Sequence, residues 1–255
     1  MVRSEELRYE SEREFFDHVA SRTVVERMSD KTLNRYANPP NPELYDKERM
    51  FEILKSSKGR KVLEIGCGEG FTAVQLAFCG YQVTGIDISP RSIEVAKKLA
   101  SIHGLSDYTT FVTANVEKSE GLVFDNVKQF DVIWCENILH HLTDKLADIM
   151  VLIRCALSDG GLFIAHEPVE YAAWLKKVRS LFPIKKSYTP DQQPLRKHEF
   201  NIIRSTFPNL EVEYRNILFR PNVLPVDFFA RVDKHLLKFK CLRQLAGYAV
   251  LHATK

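Results

Sequence analysis

Val62-Leu63-Glu64-Ile65-Gly66-Cys67-Gly68-Glu69-Gly70 is the stretch on which the fold turns. The β-branched and apolar run from Lys61 to Ile65 reads as a strand, and Phe71 to Phe78, closed by Gly80, reads as a helix. A strand that ends, turns sharply and starts a helix needs left-handed backbone, which glycine adopts at little cost. Gly66, Gly68 and Gly70 supply three such positions. Their missing Cβ atoms also let a ligand lie against the backbone, and the helix start offers it free N–H groups. The spacing is G-x-G-x-G, with Glu64 two places ahead, and not the G-x-G-x-x-G of a dinucleotide turn.

Outward from this turn the pattern repeats. Tyr81 to Ile86 is a second strand, and Ser89-Pro90 opens a helix that runs to about Ile102, with Ser89 as its cap. Thr110 to Thr113 and Phe130 to Trp134 are strands, Leu142 to Leu157 a helix stopped by Gly160-Gly161, and Leu162 to Ala165 a fifth strand. Strands alternating with helices predict βαβ units and a doubly wound, mostly parallel α/β sheet. Ahead of this core, Glu5 to Met28 reads as a helix carrying Phe15, Phe16, Val19 and Ala20 on one side. A proline-rich loop from Tyr36 to Pro42 follows, then a helix from Glu43 to Leu54. Behind the core come an amphipathic helix over Val169 to Phe182, a helix over Lys197 to Ser205, and strands over Leu210 to Phe219 and Tyr248 to Thr254. The expected organisation is one domain over 1–255. It comprises a helical cap (1–57), a cofactor-binding core (58–167), a substrate-covering insert (168–208) and C-terminal strands with a helix (209–255).

Asp87 lies 21 residues after Gly66, at the end of the second strand. A carboxylate there can accept both hydroxyls of a ribose. The competing role, capping the next helix, is already filled by Ser89.

Composition narrows the field. The 255 residues are 45% hydrophobic and 27% charged, which fits a globular chain and excludes a disordered or fibrous one. No apolar run is long enough to span a bilayer and no leader is evident, so a cytoplasmic location is expected. The cysteines, Cys67, Cys79, Cys135, Cys155 and Cys241, are odd in number and form no C-x-x-C pair. They read as buried small hydrophobes, without disulfide or metal site. Residues 168–255 hold 16 Lys and Arg against 7 Asp and Glu, while the first 167 hold 20 against 26. Such a split fits contact with nucleic acid, a membrane surface or an acidic substrate, and equally an ordinary solvated surface.

Taken in order, these motifs resemble the class I S-adenosylmethionine-dependent methyltransferases over residues 60–167. Leu63-Glu64-Ile65-Gly66-Cys67-Gly68 is similar to that family's first motif, and Gly85-Ile86-Asp87-Ile88-Ser89 to its second. Phe130 to Trp134 with Glu136 to Leu142 resembles the fourth-strand motif, and Gly160 to Ile164 the turn into the fifth. The resemblance implies a seven-stranded Rossmann-like sheet and S-adenosylmethionine as cofactor, with S-adenosylhomocysteine as product. By position, it implies that Glu64, Gly66, Cys67, Gly68 and Gly70 hold the methionine part, and that Asp87 holds the ribose. Ile88, Asn115 and Val116 would then meet the adenine, and Glu136 and Asn137 would border the sulfonium. Asn115 stands where the family commonly has Asp, so its amide oxygen would have to be the acceptor.

The sulfonium methyl is already electrophilic, so the protein has to set a nucleophile in line with it, exclude water and, for a hydroxyl or acidic carbon, supply a base. His140, His141 and His166 follow strand ends and titrate near neutrality, which makes them the catalytic candidates; His140 or His166 is the expected base. The Asn-Pro-Pro-aromatic motif of amino-methylating nucleic-acid enzymes is absent after the fourth strand, as is the double-Glu loop of arginine methyltransferases, and no DNA partner is expected. Phe15 to Ala20 is similar to the start of small-molecule methyltransferases near the ubiquinone and menaquinone group. In the insert, Tyr171, Trp174, Leu175, Val178, Leu181 and Phe182 share one helix face. Val226 to Lys240 repeats this character, with Phe229, Val232, Leu236 and Phe239 against Arg231, Lys234, Lys238 and Lys240. Such faces pack on a sheet or roof a pocket, the preferred reading, or lie on an anionic membrane.

The function read from all this is O- or C-methylation of a small, apolar or lipid-like acceptor. A macromolecular methyltransferase using the basic C-terminal region, and a non-catalytic cofactor-binding protein, are the alternatives.

Overall fold

The apolar runs around the glycine turn lie side by side in one sheet. The computed structural model describes residues 5–118, 130–170, 193–218 and 226–255. Its strands are β1 (Lys61–Ile65), β2 (Gln82–Asp87), β3 (Thr109–Thr113), β4 (Phe130–Glu136), β5 (Leu157–Pro168), β6 (Glu211–Arg215) and β7 (Tyr248–Thr254). They are ordered β3-β2-β1-β4-β5-β7-β6. The first five are parallel, and β7 runs against both of its neighbours. The winding direction reverses between β1 and β4, and a crevice opens beyond their carboxyl ends.

The described helices are α1 (Glu5–Ser21), α2 (Asp30–Ala37), α3 (Asp46–Leu54), α4 (Phe71–Phe78), α5 (Pro90–Ile102), α6 (Leu146–Ala156), α7 (Lys197–Thr206) and α8 (Val226–Leu236). The central strands β1, β4 and β5 are buried on both faces over most of their length, which is why they read as continuous apolar runs, whereas the edge strands β3 and β6 are half exposed. Along β4, Val132 and Trp134 join the core beneath α2 to α5, while Ile133 and Cys135 join the one beneath α6 and α7. Trp134 meets Phe51 edge-on at 5.1 Å between ring centres, and Phe163 stacks on Phe207 at 5.2 Å. Each such aromatic contributes roughly 1.5–3 kcal/mol by leaving water.

The expected bounds of β1, α4 and β7 match the structure. Ser89 caps α5, its Oγ accepting the Ser92 N–H at 2.9 Å, with Pro90 in the first turn. Other expectations need correction. The first helix stops at Ser21, not Met28, because Thr23-Val24-Val25 is a β-branched run that helices accommodate poorly. Its inward side is Tyr9, Glu12 and Ala20, and Val19 is exposed. The third helix begins at Asp46, after a turn in which Asn41 O accepts the N–H groups of Leu44 and Tyr45. The fifth strand extends to Leu157–Pro168 because β7 pairs with it as far as Pro168. The sixth ends at Arg215, before Asn216 at φ 63°. Cys155 and Cys241 are exposed and Cys79 half-buried, so only Cys67 and Cys135 are core residues. The helix expected over 169–182 falls, from residue 171 on, outside the described residues. The amphipathic run expected over Val226 to Lys240 is helical only as far as Leu236; on α8 Ala230 and Asp233 are buried and Phe228 is exposed, and Phe239, beyond the helix, is exposed too.

The sheet edge is tied to the cap by charge. Arg49 of α3 donates to both oxygens of Glu213, at 2.6 to 3.0 Å, and Arg215 donates to it at 2.8 Å. Burial works against the Glu213 charge, but His252 and the two guanidiniums outweigh it and hold the carboxyl well below its usual range. A depressed carboxyl contributes its stability above the unfolded-state pKa of about 4.3 and loses it as pH falls through the folded value. Glu213→Gln should therefore cost about 1–2 kcal/mol in urea unfolding at pH 7, and the difference from wild type should shrink as Glu213 protonates in strong acid. Equal costs at both pH extremes would refute this.

Candidate functional site

Gly66, Gly68 and Gly70 all have positive φ, at 71°, 49° and 78°. Two of them differ in what surrounds them. A Cβ at Gly70 would stand 2.7 Å from Ala96 Cβ, so this glycine lets α4 and α5 close up. A Cβ at Gly68 would meet no protein atom within 4 Å, so this glycine faces open space at the crevice.

Asp87 is fixed to the same turn. Its Oδ2 accepts the Gly68 N–H at 2.8 Å and its Oδ1 the Ser89 N–H at 2.9 Å. Burial raises its pKa against these two hydrogen bonds. Ile88 beside it is half-buried. Cys67 is buried, and its Sγ fills the space left by the missing side chain of Gly85. Glu64 is 3% exposed, and its Oε2 has no hydrogen-bond partner among the described residues. Burial, reinforced by the charge of Glu136, pushes its carboxyl well above the ordinary range. After β3, Asn115 Oδ1 accepts the Glu117 N–H at 2.9 Å, so one lone pair of the expected adenine acceptor is already in use. Val116 is buried in the core next to it.

The loop after β4 is shaped by an acid that the sequence reading did not single out. Glu167 on β5 is fully buried. Its carboxylate accepts the N–H groups of Ile138, Leu139 and His140 at 2.9, 2.8 and 3.3 Å, and lies 2.8 Å from His140 Nδ1. These bonds hold the first of two short 3-10 turns, Leu139–His141; a second, Thr143–Lys145, follows it, and α6 starts only at Leu146 instead of at the expected Leu142. Asn137 takes φ 57° and donates its N–H to His166 O.

The three histidines have different surroundings. His140 is 7% exposed and bound to Glu167. His141 Nδ1 lies 3.2 Å from Glu12 of α1. His166 lies near the end of β5, opposite Glu136, and its ring stacks on Tyr248 at 4.9 Å. Its Nε2 lies 3.0 Å from Asp46 Oδ2, which also accepts from Asn216 Nδ2 at 2.6 Å. Burial opposes protonation of His166, yet the hydrogen bond to Asp46 and the charges of Asp46, Glu136 and Glu167 prevail and raise its pKa. Lys47, next along α3, donates to Thr72 Oγ1 at 2.6 Å and reaches Glu136 at 3.4 Å. Burial disfavours the Glu136 charge, but Lys47, His166 and the Thr72 hydroxyl outweigh it and lower its pKa. Asp46 and Lys47 were likewise missed from sequence.

Helix α1 crosses the same end of the sheet. Asp17 accepts from Ser89 Oγ at 2.6 Å, Arg8 donates to Glu117 and to His141 O, and Thr23 beyond the helix donates to Glu69.

These residues fit an adenosyl sulfonium. The open side of Gly68 admits a ligand against the backbone, Asp87 stands at the end of β2, and Glu64 Oε2 is a buried acceptor without a donor among the described residues. A methyltransferase-domain family model matches residues 56–211. The chain is 36% identical over 108 residues to the ubiquinone biosynthesis O-methyltransferase of Actinobacillus pleuropneumoniae serotype 5b, 42% of this chain and 45% of that one. To the enzyme of the same name from Xanthomonas oryzae pv. oryzae (strain PXO99A) it is 34% identical over 107 residues, 42% of this chain and 43% of that one. The chain thus spans less than half the length of these curated relatives. A SAM-dependent methyltransferase from Archaeoglobus fulgidus superposes with a TM-score of 0.57 at 18% identity, covering 89% of this chain and all of that one. The cyclase SpnF superposes at 0.59 and 17% identity, covering 97% and 96%, so the fold alone does not fix the reaction. With the family model spanning more than half its length and the glycine turn, Asp87 and strand order in place, the chain belongs to the class I S-adenosylmethionine-dependent methyltransferases.

Proposed function

We propose that this enzyme methylates a hydroxyl of a small, apolar acceptor, with His166 as the base. The observation that carries this is the His166–Asp46 pair beside Glu136, at the carboxyl ends of β4 and β5. The names of the curated relatives support O-methylation.

S-adenosylmethionine supplies an electrophilic methyl group on a positively charged sulfur. Glu64 and the Gly66–Gly70 turn hold its methionine part, and Asp87 takes the ribose hydroxyls. Ile88, Asn115 and Val116 would meet the adenine, and Glu136 and Asn137 would border the sulfur. Because Asp46 accepts from Nε2 of His166, the neutral ring keeps its lone pair on Nδ1, which is the atom that receives the acceptor proton. The carboxylates around His166 then stabilise the imidazolium that forms. Helix α1 and the loops it crosses keep water from the reacting atoms.

The test is to incubate the protein with methyl-labelled S-adenosylmethionine and fractionated host extract. Label in the organic-soluble fraction is the expected result, and mass spectrometry would name the acceptor. Label in RNA or protein would overturn the proposal and give the basic C-terminal region a role in binding a macromolecule.

A further inference from the structure

A cavity of about 480 Å³ lies away from the glycine turn, between the loop before α3, the edge strand β6, α8 and the segment that follows α8. Its size suits a small ligand. Leu44, Val212, Ala230 and Leu237 give it an apolar floor. Five cationic side chains and three acidic ones line the rest. Glu213 is shared by Arg49 and Arg215, and Lys234 is paired with Glu43. Asp233 is 3% exposed, and its Oδ1 accepts the Leu218 N–H at 2.8 Å. Lys238 and Arg243 remain, and among the described residues neither pairs with a carboxylate; Arg243 uses only its Nε, on Leu237 O at 3.0 Å. The cavity is therefore net positive above an apolar floor. A cationic ligand would be repelled, and a small hydrophilic anion would leave the floor uncovered.

The cavity also shares a wall with the reaction site. Asn216 lines it and donates to Asp46, which in turn holds His166. Asn216 sits in left-handed backbone at φ 63°, uncommon for a residue other than glycine. Arg49 lines the cavity from the same helix that carries Asp46 and Lys47 to the crevice.

We infer that this cavity is a second binding site, for an anionic headgroup on an apolar stem, with Lys238 and Arg243 taking the headgroup and the Leu44–Val212–Leu237 floor the stem. It deepens the function proposed above and rests on it in one respect: the acceptor then carries an anionic group at the end remote from the methylated oxygen. Such a headgroup belongs equally to a soluble acceptor and to a membrane lipid.

The test is calorimetric titration of the full chain with monomeric decyl phosphate, decanol and inorganic phosphate, and sedimentation with vesicles of phosphatidylcholine and phosphatidylglycerol. Decyl phosphate should bind, and neither decanol nor phosphate should match it. Arg243→Gln and, separately, the exposed Lys238→Gln should each weaken it about tenfold, the worth of one hydrogen bond to a charged group. Arg243→Lys should restore part of the loss, and S-adenosylmethionine affinity should be unchanged in all three variants. Vesicle binding lost in the same variants supports the site with a lipid as its source; decyl phosphate binding without vesicle binding supports it with a soluble acceptor. No decyl phosphate binding, or binding indifferent to both glutamine variants, overturns the inference. If that happens while label still enters an apolar acceptor, the proposed function survives; if label enters only RNA while decyl phosphate binds, the cavity stands and the acceptor reading falls.

Discussion

His166→Ala is expected to lower kcat for methyl transfer by about a hundredfold to ten-thousandfold, the usual worth of a positioned base, while S-adenosylmethionine affinity stays within about twofold. The pH profile separates this role from a merely structural one. A base works unprotonated, so the rate rises with pH through the His166 pKa, and that limb lies above the ordinary histidine value because the surrounding carboxylates favour the imidazolium. Asp46→Asn removes the nearest of them, so the acid limb should move to lower pH, with a reduced plateau because Nδ1 is less basic. Asp46→Glu should return the limb towards its original position. The groups facing His166 are Asp46 from α3, Glu136 from β4 and Glu167 from its own strand, and the last two remain in both variants. A His166→Ala enzyme retaining more than a tenth of its rate, or an unmoved limb in Asp46→Asn, would remove His166 from the mechanism.

The second large effect concerns the glycine turn. Gly68→Leu should weaken S-adenosylmethionine binding by at least a hundredfold, because the new side chain would fill the open space at Gly68 in which the cofactor is proposed to lie. It should also cost about 1–2 kcal/mol of stability, since leucine is strained at φ 49°. Gly80 provides the control. It too has positive φ, 84°, and open space where a Cβ would go, but it lies at the far end of α4. Gly80→Leu should show a similar loss in thermal unfolding with unchanged cofactor affinity. Equal losses of affinity in the two variants would mean that the turn acts through general stability and not as a cradle.

The difference between what could be read in advance and what could not follows sequence distance. The turn from β1 to α4 is a local event, set by three glycines and two apolar runs, so its bounds were legible. Ser89-Pro90 likewise announced the start of α5 in two residues. Asp46 was not legible as a partner of His166, because 120 residues separate them and nothing in the spacing of α3 marks it. Glu167 did leave a trace: an acid inside the apolar run Phe163-Ile164-Ala165-His166-Glu167 has to find donors if the strand is buried. The N–H groups that Glu167 takes are those around the first turn after β4, Ile138 to His140, which keeps that stretch out of α6. The face of α1 was legible only in part. Of Phe15, Phe16, Val19 and Ala20, expected on one apolar side, Ala20 is buried and Phe15 and Phe16 are half-buried, with Phe16 against His141, but Val19 is exposed and the polar Glu12, held by His141, shares the inward side.

The way α1 is attached gives the molecule two kinds of cohesion. Between β4 and the helices on either side, contact is apolar and holds no charge pairs for salt to screen. Between α1 and the loops it crosses, contact is largely charge on charge: Glu5 with Lys145, Glu6 with Lys118, Arg8 with Glu117. The exposed pairs among these fade as the Debye length shrinks, from about 8 Å at physiological ionic strength to about 3 Å at 1 M. Concentrated salt should therefore weaken the attachment of α1 before it weakens the sheet, by the little that each exposed pair is worth, while the buried Arg8–Glu117 pair, Tyr9 and Ala20 keep the helix in place.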